Sequence, residues 1–133
     1  MWMKQVFVMV LLASTVVLVN GCMVAAVGAG AAGTVAYARG DLEAVEPSKL
    51  DEVYEATLKA VDELELNVTK KTKDAMSAVI VARDAQDKKV TITLSATTEE
   101  TTKVSVRIGL FGSETKSRLI YQEIHEKLQY QRA

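Results

Sequence analysis

Three features of the sequence predict an α+β domain, a mostly antiparallel sheet of four or five strands with two helices packed on one face. Apolar residues alternate with polar ones in several stretches, they recur at three- and four-residue steps in two others, and a glycine- and alanine-rich segment separates both patterns from the N-terminus. The clearest alternation sets Val104, Val106, Ile108 and Leu110 against Lys103, Ser105, Arg107 and Gly109. With one cysteine in 133 residues, no disulfide within the chain is available and packing must hold the domain. The chain divides into residues 1–21, residues 22–40 and a single domain over residues 41–133.

The first division reads as a bacterial lipoprotein signal. Lys4 supplies a positive start, and Val6 to Val19 is uncharged and rich in Val and Leu, about the length of a signal-peptide core. A spanning helix needs roughly 20 apolar residues, so the run is short for one. Asn20 and Gly21 break it. Gly21 lets a peptidase approach the backbone, and Cys22 offers a thiolate to accept a diacylglyceryl group. An added N-acyl chain such as palmitate would make the anchor firm, because one acyl chain holds a protein only marginally and two or three hold it well. Cys22 is therefore the predicted lipidation site, and the membrane its predicted partner. Met23 stands where an Asp would retain a Gram-negative lipoprotein in the inner membrane, which favours the outer membrane facing the periplasm. The plainer alternative is an unmodified Cys22 after an ordinary secretory signal or an uncleaved anchor.

Gly28, Gly30 and Gly33 fit G-x-G-x-x-G, but no strand precedes them and no βαβ unit surrounds them, so nucleotide binding is rejected. Met23 to Ala38 reads instead as a flexible spacer. A small-residue helix lying in or against the membrane, with Ala29 and Gly33 spaced for close approach, is the other reading.

From Thr34 the order of elements is as follows. Val35, Tyr37, Leu42 and Val45 suggest one extended segment bent at Gly40, and Pro47 ends it. Ser48, three residues before Asp51, resembles a capping box, and Leu50, Val53, Tyr54, Thr57, Ala60, Val61 and Leu64 give a helix with one buried face. Glu52, Glu55, Lys59, Asp62 and Glu63 form its solvated side. Leu66 and Val68 begin a strand, and Lys70 to Asp74 read as a turn. Val79, Ile80 and Val81 mark a central strand, and Asp84 to Lys88 form a hairpin loop. Val90, Ile92 and Leu94 make a third alternation, with Glu99 and Glu100 at the turn before the fourth. Gly109 and Gly112 turn the chain sharply while Phe111 is expected to drop into the core. Ser113 caps the second helix, with Glu114 complementing its positive end and Ile120, Ile124 and Leu128 on its stripe beside Tyr121 and Ser117.

Composition excludes several functions. Without Lys4 the chain carries 15 basic and 17 acidic residues, a net charge of −2 that is no footprint for nucleic acid. His125 is the only histidine, and it lies beside Ile124 at the border of the stripe, where a surface or half-buried role is expected rather than a general base. No second histidine or spare cysteine completes a metal site of common spacing. No serine or threonine sits in a nucleophile elbow, and Glu99 with Glu100 occupies a turn too wet for acid catalysis. Asn67-Val68-Thr69 matches a glycosylation sequon by chance. The expectation is a protein that is not an enzyme and has no catalytic residue, cofactor or metal.

The lipidation signal, Ala36-Tyr37-Ala38 with Gly40 and Leu42, and Arg107-Ile108-Gly109-Leu110-Phe111-Gly112 before Ser117 together resemble family 3568 of the domains of unknown function, small Gram-negative lipoproteins. The likeness covers nearly the whole chain, although Ser113 stands where the family often has an acidic residue. It implies an envelope lipoprotein with an α+β domain and brings no activity. The expected role is structural or partner-binding, with an envelope protein docked through a sheet edge or the polar sheet face. The alternative is a carrier holding a small apolar ligand between helix and sheet. An unpaired edge leaves room for a homo-oligomer.

Overall fold

The computed structural model describes residues 2–9 and 35–132. The chain separates into two units, Met1–Thr34 and Val35–Ala133. In the first, residues 2–9 are helical (α1) and every one is exposed. Val19 to Cys22 and the three glycines Gly28, Gly30 and Gly33 lie outside the described residues.

The second unit runs β1 (Val35–Ala38), β2 (Asp41–Glu46), α2 (Leu50–Glu63), β3 (Asn67–Lys73), β4 (Ser77–Arg83), β5 (Lys89–Thr98), β6 (Thr101–Ile108) and α3 (Glu114–Arg132). The strands form one sheet in the order β1-β2-β6-β5-β4-β3, and every neighbouring pair is antiparallel. The topology follows from two crossings. Helix α2 carries the chain over one face from β2 to the far edge, and the meander β3 to β6 then returns until β6 pairs with β2. Helix α3 folds back over the same face.

That face is apolar because the strand period is two. Leu42 and Ala44 in β2, Ala78, Ile80 and Ala82 in β4, Val90, Ile92 and Leu94 in β5, and Val104, Val106 and Ile108 in β6 are all buried. Val53, Ala56, Ala60 and Val61 of α2 and Ile120, Ile124 and Leu128 of α3 close over them. Each Leu, Ile or Val buried this way contributes about 1.5–3 kcal/mol relative to exposure. The alanines let α2 sit close to the sheet. On the opposite face the register brings Thr93 level with Ser105 and Val79, and Thr91 level with Arg107 and Val81, all partly exposed.

The expectation of four or five strands and two helices is therefore corrected to six strands and three helices among the described residues; two of the helices pack on the sheet and the third is α1. Two local differences matter: one adds a strand, and the other lengthens one. The segment around Gly40 is a hairpin rather than one bent strand, since Arg39 (φ 56°) and Gly40 (φ 87°) reverse the chain and pair Ala38 with Asp41. Lys70 to Lys73 continue β3 instead of turning, because β4 offers a full ladder from Val81 to Ala78 that outweighs the low strand preference of lysine. The capping box also fails. Ser48 is buried with its hydroxyl unpartnered, and α2 starts after Lys49 with no side-chain cap. Ser113 does cap α3, accepting the Lys116 amide at 3.4 Å.

Candidate functional site

Two constellations, one at each end of the sheet, hold side chains that the core does not explain. The first begins in β2. The alternation that buries Leu42 and Ala44 also carries Glu46 inward, leaving its side chain 1 % exposed. An ionised carboxylate at such depth needs partners, and α3 supplies two. Tyr121 and His125 are four residues apart and so share a helix face. The Tyr121 hydroxyl donates to Glu46 Oε1, and His125 Nδ1 lies 2.8 Å from the same oxygen. The rings are 6.1 Å apart. Burial, reinforced by the Glu46 carboxylate, pushes the Tyr121 phenol well above its ordinary pKa. Nearby, Arg132 Nη2 donates to the Pro47 carbonyl at 2.5 Å and Thr102 Oγ1 to that of Ser48 at 2.8 Å. A histidine whose Nδ1 proton goes to a carboxylate keeps Nε2 for a base or a metal. Glu46, Tyr121 and His125 line none of the three clefts described below, although Arg132 borders one of them, and their geometry clamps α3 onto the end of β2. His125 is half-exposed, as its place on the border of the stripe suggested.

The second constellation joins the β1–β2 turn to the loop between β6 and α3. Gly40 and Gly112 (φ 80°) meet backbone to backbone. A Cβ on Gly112 would stand 2.5 Å from Gly40 Cα and 2.7 Å from the Tyr37 hydroxyl, and one on Gly40 would stand 2.9 Å from the Phe111 carbonyl oxygen. Arg107 ties the loop down by donating to the carbonyls of Arg39 (3.0 Å) and Leu110 (2.6 Å) and pairing with Asp41 (3.1 Å). The Gly109 amide donates to the Lys89 carbonyl at 2.7 Å. Phe111 does not enter the core. It is 89 % exposed and Leu110 is 77 % exposed. The physical reason is the loop itself, whose backbone is so tightly engaged that both side chains must point outward. At the same end the Asp84–Lys88 hairpin is organised by Asp84, which accepts the Gln86 and Lys88 amides and the Lys116 ammonium. The Lys88 amide, more than Lys116, holds the Asp84 carboxyl below the ordinary carboxylate range.

Two further surfaces bear on binding. The sheet edges differ: β3 is exposed along all seven residues, carries Lys70, Lys71 and Lys73 and is bulged between Val68 and Lys70, whereas β1 has four residues and no charge. Between the helices and the sheet lies an apolar cleft of ≈ 210 Å³, lined by Leu64, Leu66, Val90, Ile108, Leu119 and Ile120, with Lys116 and Asp84 beside them. Larger clefts of ≈ 440 and ≈ 590 Å³ are bordered mainly by charged and polar residues of α2, the end of α3 and the β5–β6 turn. Among the described residues no three His, Cys, Asp or Glu side chains are grouped to hold a metal ion.

Glu46 is the residue that sequence reasoning missed. Its signal was its phase, two residues after Ala44 in the inward register. Cys22, the predicted lipidation site, lies outside the described residues.

Six antiparallel strands backed by two helices, with a buried carboxylate clamp at one end and an apolar loop tip at the other, define a small α+β module joined to a separate N-terminal unit. The family model described as "Protein of unknown function (DUF3568)" matches residues 5–127, and the chain belongs to that family. No curated protein matches it.

Proposed function

We propose that the chain is a lipid-anchored protein of the bacterial cell envelope, held at Cys22 on the outer membrane facing the periplasm, and that its domain is a non-enzymatic module that binds an envelope partner. The observation that carries this reading is the order Val19-Asn20-Gly21-Cys22 at the end of an uncharged apolar run, ahead of a domain whose core, among the described residues, is built from Val35 onward. The family match begins at residue 5, so the N-terminal segment belongs to what the family shares. The carrier reading is weaker on size, since small-molecule sites usually occupy about 300–1,000 Å³ and the apolar cleft is ≈ 210 Å³. Strand addition fits β1 better than β3, because lysines and a bulge are the common means of blocking an edge.

The test is intact mass and membrane fractionation of the native protein beside Cys22→Ala. Loss of residues 1–21, the added mass of a diacylglyceryl and an N-acyl group, and outer-membrane fractionation in the native chain alone are expected. Retention of the N-terminus by both chains in the inner membrane overturns the anchor. Crosslinking in intact envelopes then tests for the partner.

A further inference from the structure

We propose that the Leu110–Phe111 loop is a membrane-docking tip, a second and peripheral contact in which these two side chains enter the headgroup region of an anionic bilayer while neighbouring cations meet its surface. Three observations combine. The two side chains are adjacent and are 77 % and 89 % exposed. The backbone on both sides of them is engaged, through the Gly40–Gly112 contact and the three Arg107 interactions, and this favours the outward side-chain positions. The charges around them are unbalanced. Arg39 adjoins the loop through its own carbonyl, and Lys89 through the Gly109 amide, with Lys88 beside it. None of the three pairs with a carboxylate among the described residues, whereas Asp41, Asp84 and Glu114 at this end are each paired. Asp87, and Glu65 between Leu64 and Leu66, are the carboxylates at this end without an ion pair among the described residues, and the three cations outnumber them. Adjacent exposed apolar side chains with cationic residues on neighbouring backbone are what a protein resting on an anionic membrane presents, since buried apolar area and attraction to anionic lipid add.

Reach permits the contact. Residues 23–34 span at most about 40 Å when extended, and the rise from Val35 to the turn at Gly40 is about 20 Å. A domain tethered at Cys22 can therefore bring this end down to the same bilayer. The proposal goes beyond the anchor reading and survives a different attachment, because the N-terminal segment only needs to keep the domain near lipid.

The experiment uses the full chain carrying Trp2→Phe and Phe111→Trp, so that the only indole sits at the tip. The side chain at 111 packs on nothing, and Leu110→Trp serves as a second reporter should the first disturb the loop. The protein is reconstituted into vesicles of phosphatidylethanolamine and phosphatidylglycerol containing phospholipid brominated near the carbonyl end of its acyl chains. The expected result is a blue-shifted emission and about two-fold or greater quenching by the brominated lipid. Both effects should be weaker in phosphatidylcholine alone and weaker again with Lys88→Glu and Lys89→Glu. Solvent-like, unquenched emission from chains that co-float with the vesicles overturns the proposal. So does a blue shift that the brominated lipid leaves unquenched or that appears without vesicles and grows with protein concentration, because the tip is then covered by protein. Repeating the assay with Cys22→Ala separates the two readings: quenching without added lipid mass keeps the tip and removes the lipidated cysteine.

Discussion

At the Gly40 end of the sheet, the loop that leads into α3 is fastened to the β1–β2 turn by backbone packed on backbone, whereas at the Glu46 end α3 itself is held by a carboxylate under cover. The two fastenings fail differently. Glycine contacts tolerate no added atom but contain no buried charge, so their cost is steric. The Glu46 cluster instead hides a carboxylate whose Oε1 is met by Tyr121 and His125, so its cost appears when a partner is removed. Having the steric fastening beside the exposed tip leaves Leu110 and Phe111 free of any packing duty. A tip that carried part of the core could not also be offered to solvent.

The sharpest way to break the comparison is Gly112→Ala. The added Cβ meets Gly40 at a positive φ, so backbone must move, and a loss of about 3–4 kcal/mol is expected in urea unfolding. Gly109→Ala is the control, since its Cβ would face open space at φ 64°, and about 1 kcal/mol is expected. Equal losses at the two positions would show that the Gly40 contact is not what fixes the loop.

Next in size is Glu46→Ala, which orphans the Tyr121 hydroxyl and leaves His125 Nδ1 without its acceptor. A loss of about 2–3 kcal/mol is expected, with Glu46→Gln smaller at about 1–2 kcal/mol because one acceptor remains. Tyr121→Phe is smaller again at neutral pH, about 1 kcal/mol for the lost hydrogen bond, and it carries a pH signature. The folded phenol has a raised pKa, so the unfolded chain releases this proton first. Stability from this group is therefore intact below about pH 10 and falls as pH rises above it. Tyr121→Phe should flatten the alkaline decline measured by urea unfolding from pH 9 to 12, while Gly112→Ala should leave its slope unchanged.

The smallest effect belongs to Phe111→Ala. With the side chain 89 % exposed, stability is expected to stay within about 0.5 kcal/mol of the parent, measured by thermal or urea unfolding. A loss above about 1.5 kcal/mol would mean that Phe111 packs where the fold leaves it open.

Much of this architecture was legible where the physics is local. Val104, Val106 and Ile108 announce β6 by alternation alone, Ser113 announces the start of α3, and Ile120, Ile124 and Leu128 announce its buried face. What escaped depends on residues distant in sequence. Lys70 to Lys73 look like a turn until β4 is known to lie beside them. Phe111 looks like core because aromatic residues usually bury, and only the contact between Gly112 and Gly40 reveals that its backbone is spoken for. Glu46 could have been read inward from its phase with Leu42 and Ala44, and Tyr121 with His125 from their i,i+4 spacing, yet neither pattern says that the three meet. That meeting is set by the pairing of β2 with β6, which places the sixth strand beside the second.

That pairing also shapes how the module would bear tension. Val35 lies at one end of β1, and the Gly40 turn with its grip on the loop lies at the other. With the Leu110–Phe111 end held, a pull on Val35 directed away from it along β1 would load the bonds pairing Val35 through Ala38 with β2 in shear, whereas a pull back toward it, as from a tether in the same bilayer, would open them from Val35 one by one. The four-residue edge strand is, under that second pull, a mechanical fuse.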